Sequence, residues 1–210
     1  MLLDKNGNIN YFNLISYPDD DYNKLRTEAL NCERCVLRKK ANKVVMGKGS
    51  TTNKIMLIGE GPGADEDRIG EPFVGRAGKL LDKILKAIEI NKEDLYITNI
   101  VKCRPPDNRA PTKKEAESCA PILVSEIKLI EPKVIVPLGS VPLKYIIDDN
   151  ASITKMRGKW IKRGEIYVFP TFHPSYLLRN PKMKKYSWHD FKVIKKAFER
   201  IKELQNNKQQ

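Results

Sequence analysis

A short apolar run that ends in glycine decides the fold, Lys54-Ile55-Met56-Leu57-Ile58-Gly59. A run of this length that is bounded by glycine is typical of a buried strand. Three comparable segments lie at 94–101, 132–139 and 165–170, and segments with apolar residues at helical spacing separate them. This alternation predicts an α/β fold, in which a central, mostly parallel four-stranded sheet lies between two helical layers in a three-layer αβα arrangement.

The helices that connect these strands also have sequence signals. Apolar residues recur at helical spacing between 75 and 90, and a capping box formed by Thr112 and Glu115 starts a helix that runs to about Ile130. Further helices are predicted at 21–30, 140–147 and 187–204. A chain of 210 residues is long enough for one sizeable domain, expected at 23–205. An N-terminal extension at 1–22, whose order the pattern does not decide, precedes it, and a frayed tail at 206–210 follows.

The composition is that of a basic, globular protein. Hydrophobic residues make up 40% of the chain and charged residues 31%, which argues against a disordered chain. The net charge of +13 favours a polyanionic partner such as nucleic acid. A lysine-rich thermophile surface is the alternative, but lysine exceeds glutamate by more than that explanation requires. No apolar run approaches the roughly 20 residues that span a bilayer, and the N-terminus lacks a secretory pattern, so a cytoplasmic location without a membrane is expected.

Four cysteines occur, at Cys32, Cys35, Cys103 and Cys119. Thiols stay reduced in the cytoplasm, which makes a metal or cluster site a better interpretation than disulfides. The first two form a C-x-x-C pair, whereas a zinc ribbon would usually supply a second such pair. The spacing alone leaves zinc and an iron–sulfur cluster open.

The three strand ends that carry unusual residues predict one shared site. These ends are Gly59–Gly63, Asn99–Arg104 and His173–Ser175. Ligands in open α/β sheets bind beyond the carboxyl ends of the strands.

Each candidate residue at these ends has a structural alternative. Gly59, Glu60 and Gly61 would let a ligand approach the backbone, although a plain tight turn has the same signature. A dinucleotide fingerprint is rejected because Pro62 breaks the required spacing and nearby carboxylates would repel a pyrophosphate. Asn99 offers a donor and an acceptor suited to a pyrimidine edge, or it caps a loop.

The remaining candidates lie in loops. Phe73 could stack on a base, or it packs in the core. His173 could stabilise charge on a leaving group, or it forms a hydrogen bond with the backbone. The apolar pair Leu177 and Leu178, followed by Arg179, suits insertion into a base stack, or it forms the first turn of a packed helix.

Taken together, these segments resemble one family, the family 4 uracil-DNA glycosylases, which are thermophile-type enzymes with a [4Fe–4S] cluster. The resemblance spans about 28–203 and rests on ordered motifs: Cys32-x-x-Cys35, Gly59-Glu60-Gly61-Pro62-Gly63, Glu66-Asp67, Gly70 to Gly75, Thr98-Asn99, Lys102 to Pro106, Asn108-Arg109, Cys119 and His173-Pro174-Ser175. One departure is Gly61, where the family motif G-E-A-P-G commonly has alanine.

The resemblance implies a monofunctional glycosylase for base excision repair, which flips uracil out of DNA, hydrolyses its N-glycosidic bond and leaves an abasic site. It implies a uracil pocket with Gly59, Glu60, Gly61, Glu66, Phe73, Asn99 and His173. In this pocket Asn99 would read the uracil edge, Phe73 would stack on the ring and Glu66 would exclude the thymine methyl. His173 would stabilise the leaving base and Glu60 would act near the sugar. The implied DNA contacts are Leu177, Leu178 and Arg179. The implied cluster ligands are Cys32, Cys35, Cys103 and Cys119.

Three other functions stay open at this point. They are a glycosylase of the same fold for hypoxanthine or mismatched thymine, a zinc-bearing nucleic-acid-binding protein without catalysis, and a covalent trap for uracil-DNA. The trap is disfavoured because the stretch from Pro106 to Pro111 carries no histidine. The expected partner is single- or double-stranded uracil-containing DNA. A sliding clamp is a further candidate although the tail has no clear motif for one, and a monomer is the default.

Overall fold

The computed structural model describes residues 2–9 and 17–207. Its described residues contain one sheet in the order β1-β3-β2-β4-β6-β5. The strands are β1 (Lys48–Gly49), β2 (Ile55–Gly59), β3 (Tyr96–Asn99), β4 (Val134–Pro137), β5 (Ile161–Arg163) and β6 (Ile166–Val168). The inner strands β3, β2, β4 and β6 are parallel, and β1 and β5 are antiparallel edges.

The predicted α/β fold class is confirmed, and the four predicted strands are the four parallel ones. The edge strands β1 and β5 were not predicted, because two or three residues are too few to show an alternating pattern.

The two faces of the sheet support separate halves of the core. Side chains of successive strand residues point to opposite faces. Ile55 and Leu57 therefore pack in one apolar cluster, while Met56 and Ile58 pack in the other. Because β2 is covered on both faces, all five of its residues are buried, as its unbroken apolar run indicates.

The helices form the two outer layers. They are α1 (Tyr22–Leu30), α2 (Val36–Lys40), α3 (Ala64–Ile69), α4 (Arg76–Ala87), α5 (Lys113–Ile130), α6 (Ser140–Ile146), α7 (Ile153–Met156), α8 (Pro174–Arg179) and α9 (Lys184–Asn206). The capping box of Thr112 and Glu115 is present at the start of α5. Helix α9 begins three residues before the predicted Ser187. The short helices α2, α3, α7 and α8 were not predicted, since four to six residues show no clear helical periodicity.

The described part of the N-terminal extension packs on the domain. Leu2 and Leu3 are fully buried, and their backbone N–H groups donate to the carbonyl oxygens of Tyr145 and Ile146. Residues 1, 10–16 and 208–210, which complete the predicted extension and tail, lie outside the described residues. Among the described residues, none of the helices has the length and apolar character that crossing a membrane requires.

Candidate active site

A cavity of about 580 Å³ opens at the carboxyl edge of the sheet. Strand β2 ends at Gly59 and pairs there with Asn99, the last residue of β3. The chain passes from β2 to β3 on one side and later to β4 on the other, so the cavity lies where the strand order reverses. Six of the seven predicted pocket residues line it: Glu60, Gly61, Glu66, Phe73, Asn99 and His173.

Gly59, the seventh, lies beneath two of the pocket side chains. A Cβ on Gly59 would come within 2.4 Å of the Asn99 Oδ1 atom and 2.6 Å of the Phe73 Cζ atom. Real Cβ atoms essentially never approach other atoms so closely. The glycine thus allows Asn99 and Phe73 to converge on the same point.

Asn99 presents an unpaired amide to the cavity. The residue is only 2% exposed. Within the described part of the chain its side-chain amide has no hydrogen-bond partner. Because buried amides normally find partners, this amide is free for a ligand.

Phe73 reaches the cavity through an unusual backbone conformation. Its φ is +54°, in the left-handed region that residues with side chains seldom adopt. The first turn of α4 closes over it, because a Cβ on Gly78 would lie 1.9 Å from the Phe73 carbonyl oxygen. The Phe73 ring lies 5.8 Å from the His173 ring, measured between centroids, so the two rings border one space.

Glu66 connects the two loops that border the cavity. Its Oε1 atom accepts hydrogen bonds from the backbone N–H groups of Val74 and Gly75, at 3.0 and 2.7 Å. Its Oε2 atom accepts one from the Gly63 N–H at 3.1 Å. Glu66 therefore fixes the segment that follows Phe73 while also lining the cavity.

His173 is held in one tautomer. The backbone N–H of Ser175 donates to its Nδ1 atom at 3.1 Å, and the Ser175 Oγ atom lies 2.8 Å from the same nitrogen. A backbone N–H can only donate, so Nδ1 is the acceptor and the neutral ring carries its proton on Nε2. Burial, with a smaller contribution from Arg179, lowers the pKa of His173 to about 4. The site therefore presents a neutral donor.

Glu60 is a further titratable group of the cavity. Burial raises its pKa, while the Arg179 guanidinium acts in the opposite direction. Arg179 is exposed and also lines the cavity. A cation at the entrance thus influences both Glu60 and His173.

The predicted DNA wedge is only partly accessible. Leu177 lies in α8 and is fully buried, so it is not accessible at the surface, and its entry into the duplex stays a prediction. Its side chain packs inward, as expected for a helix turn that covers the core. Leu178 is partly exposed and Arg179 is exposed, so both are available at the surface.

The four cysteines border one small second cavity. Cys103 and Cys119 are buried, and Cys32 and Cys35 are partly exposed. Burial and the three neighbouring thiols raise the pKa of Cys103 to about 12. The backbone N–H of Lys102 donates to the Cys119 Sγ atom at 3.2 Å. In the described residues, no three His, Cys, Asp or Glu side chains form a group suited to a single metal ion.

The chain is similar to known uracil-DNA glycosylases over most of its length. The model of the Uracil DNA glycosylase superfamily matches residues 46–199. The type-4 uracil-DNA glycosylase of Thermotoga maritima is 49% identical over 71% of this chain and 79% of its own length. That of Sulfurisphaera tokodaii is 44% identical over 84% of both chains.

The chain belongs to the type-4 uracil-DNA glycosylases.

One type-5 relative is less similar to this chain. The type-5 uracil-DNA glycosylase of Pyrobaculum aerophilum is 28% identical over 61% of this chain. The match to the superfamily model and the identity to the type-4 relatives confirm the predicted family.

Two features of this type-4 member were not found from the sequence. Ser175, which orients His173, follows it by two positions and gives no separate signal. Glu126 is fully buried on α5 and forms an ion pair with the buried Lys102. A glutamate among the apolar positions Ile122, Leu123, Ile127 and Ile130 was the available signal, because a charge on a buried helix face requires a partner.

Proposed function

We propose that the cavity binds a uracil flipped out of DNA and that Asn99 recognises its edge. The single observation that carries this proposal is the buried, unpaired Asn99 amide at the end of β3. An amide offers an oxygen acceptor and an NH₂ donor side by side. Uracil presents the complementary N3–H donor and O4 acceptor, whereas cytosine presents the reverse arrangement and would leave the amide unpaired.

The reaction is the excision of uracil from DNA, as in the type-4 relatives. The flipped ring would stack on Phe73, while the wall around Glu66 would exclude a thymine methyl group. As the C1′–N1 bond breaks, its electron pair leaves with the base and negative charge grows on the uracil oxygens. The Nε2–H of neutral His173 would donate a hydrogen bond to that charge, which stabilises the transition state more than the bound substrate.

Glu60 would act on the sugar side. Positive charge develops on the deoxyribose as the base departs, and a carboxylate nearby stabilises it or orients the attacking water. Water supplies hydroxide to C1′, and its proton balances the released uracil anion. The products are free uracil and an abasic site. Leu178 and Arg179 would contact the DNA, with Arg179 on a phosphate.

The four cysteines fit a [4Fe–4S] cluster. Four thiols around one cavity match the donor set of such a cluster. When bound, the cluster would supply iron–thiolate bonds that join the segment between α1 and α2, the loop after β3, and α5. Cys32, Cys35, Cys103 and Cys119 would hold it, and the Lys102 N–H would donate to one ligand sulfur.

The test is single-turnover release of uracil from a U:G duplex and from the corresponding single strand. Asn99→Ala should lower the rate on the order of 10²-fold or more, because it removes preorganised hydrogen bonds from the transition state. Asn91→Ala is the matched control, since Asn91 is exposed before the amino end of β3. A fully active Asn99→Ala protein would overturn the assignment of Asn99. A wild-type protein that binds DNA and leaves uracil in place would overturn the enzymatic proposal.

A further inference from the structure

A buried ion pair lies directly behind the proposed uracil-recognition residue. The Lys102 Nζ atom is 2.7 Å from the Glu126 Oε2 atom, and the two side chains are 1% and 0% exposed. Burying two charges costs desolvation energy that an apolar pair of similar volume avoids. Stability alone therefore does not explain why the pair is here.

The Lys102 ammonium is bonded to the end of β3. Its Nζ atom donates to the Asn99 carbonyl oxygen at 2.7 Å, to the Thr98 Oγ1 atom at 2.6 Å and to Glu126. A lysine ammonium has three N–H donors, so all of them are used. Lys102 has no donor left for a substrate, and its contact with Asn99 fixes the peptide group from which the recognition side chain extends.

Glu126 holds the other side of this group. Its Oε1 atom accepts hydrogen bonds from the Gly47 N–H at 3.0 Å and from the Tyr96 hydroxyl at 3.1 Å. Its Oε2 atom lies 2.9 Å from the Thr98 Oγ1 atom. The carboxylate thus joins α5 to Tyr96 and Thr98 of β3 and to Gly47, which precedes β1.

The main chain of Lys102 is fixed as well. Its N–H donates to Cys119 Sγ at 3.2 Å, and its carbonyl oxygen accepts from the Val45 N–H at 2.7 Å. With its side chain on Asn99 and its backbone on Cys119, one residue connects the uracil cavity with the cysteine cavity.

We propose that Lys102 and Glu126 are positioning residues that hold the Asn99 amide in register with the uracil edge. This inference rests on the proposed role of Asn99. A hydrogen-bonding group displaced by about 1 Å loses much of its contribution to the transition state, so a rigid support behind a single free amide has a large effect on rate.

A double-mutant cycle tests the coupling. The Lys102→Met/Glu126→Leu variant removes both charges together. A single substitution would instead leave one buried charge without its partner. It should release uracil roughly 10- to 100-fold more slowly than the wild type, and free uracil should inhibit it less. In an Asn99→Ala background the same two changes should slow release by less than about 2-fold, because the amide that they position is absent.

The controls separate positioning from folding. Ile146→Val changes the core on the same face of the sheet and should lower the rate equally little in both backgrounds. Iron content and melting temperature are measured for every variant. If the double variant does not fold, Glu126→Gln, which retains one oxygen acceptor, takes its place in the cycle.

Two results would overturn the inference, and they differ. Equal fractional losses with and without Asn99 would mean that the ion pair has only a structural role, while the role of Asn99 stands. Full activity of Asn99→Ala alone would remove the proposed recognition by Asn99 and this inference together.

Discussion

The backbone N–H of Ser175 donates a hydrogen bond to the Nδ1 atom of His173 at 3.1 Å. This contact assigns the ring proton to Nε2, and burial lowers the pKa of His173 to about 4. The neutral donor therefore persists through the neutral pH range. A contact between residues two positions apart thus orients the side chain that we propose stabilises the leaving base.

The first prediction concerns the titration of His173. An NMR titration should give a pKa of about 4 for this histidine and the Nε2–H tautomer above it. Uracil release should show no loss from His173 protonation between about pH 5 and pH 8. Because the folded pKa lies below the unfolded value, the contribution of His173 to stability is present above about pH 6.5 and is lost as the pH falls towards 4.

Assignment of this titration uses His189→Gln, since His173 and His189 are the two histidines of the chain. A measured pKa near 6.5 for His173, or the Nδ1–H tautomer, would contradict the prediction.

The second prediction concerns Gly59. Gly59→Ala places a Cβ 2.4 Å from Asn99 Oδ1 and 2.6 Å from Phe73 Cζ, so both side chains must move. Overpacking of this kind destabilises the folded structure by about 1–3 kcal/mol. If the strain falls on the site, the rate of uracil release should fall by roughly 5- to 150-fold. Single-turnover kinetics of uracil release measure this change in rate.

Gly164→Ala is the matched control, because its Cβ would lie 2.0 Å from the Asn6 carbonyl oxygen, in the turn between β5 and β6. It should lower the melting temperature and leave the rate of uracil release unchanged below the transition. Equal effects of both variants on that rate would contradict a specific role for Gly59.

The third prediction concerns Glu66. Glu66→Gln replaces one carboxylate oxygen by NH₂, so the side chain can accept either the hydrogen bonds of Val74 and Gly75 or that of Gly63, and it no longer joins the two loops. An unsatisfied buried N–H costs about 1–3 kcal/mol. We expect a lower melting temperature together with slower uracil release, because the loop that carries Phe73 loosens.

Asp65→Asn serves as its control, since Asp65 is exposed on the same helix. If Glu66→Gln and Asp65→Asn have the same melting temperature and rate, the proposed support of the Phe73 loop is wrong.

The fourth prediction concerns the cysteines. Cys103→Ser and Cys119→Ser each remove one proposed thiolate ligand and should reduce the iron bound per protein and the melting temperature. Ser118→Ala, which alters the neighbour of Cys119 at the border of the same cavity, should retain iron. Stoichiometric zinc in the wild-type protein, measured by elemental analysis after purification without added metal, would contradict the cluster.

The elements that the sequence predicted well have short-range signals. The apolar run of β2 and the capping box of Thr112 with Glu115 identify a buried strand and a helix start without any tertiary information. The sequence also placed Asn99 and His173 at strand ends, and the structure brings both to one cavity. The edge strands were too short to produce a pattern.

The role of a side chain within its element depended on packing. Leu177 and Leu178 are adjacent and alike in sequence, yet one is fully buried and the other partly exposed. Only the position of α8 against the core decides which of them is accessible to DNA.

The sequence by itself determined the α/β fold, the family and the residue types at the strand ends, because these follow from local periodicity and from ordered motifs. Only the tertiary structure decided which contacts prepare those residues. The bonds of Glu66 to the Phe73 loop and of Lys102 to Asn99 and Glu126 depend on directions in space, which hydrogen bonds require and sequence spacing does not encode.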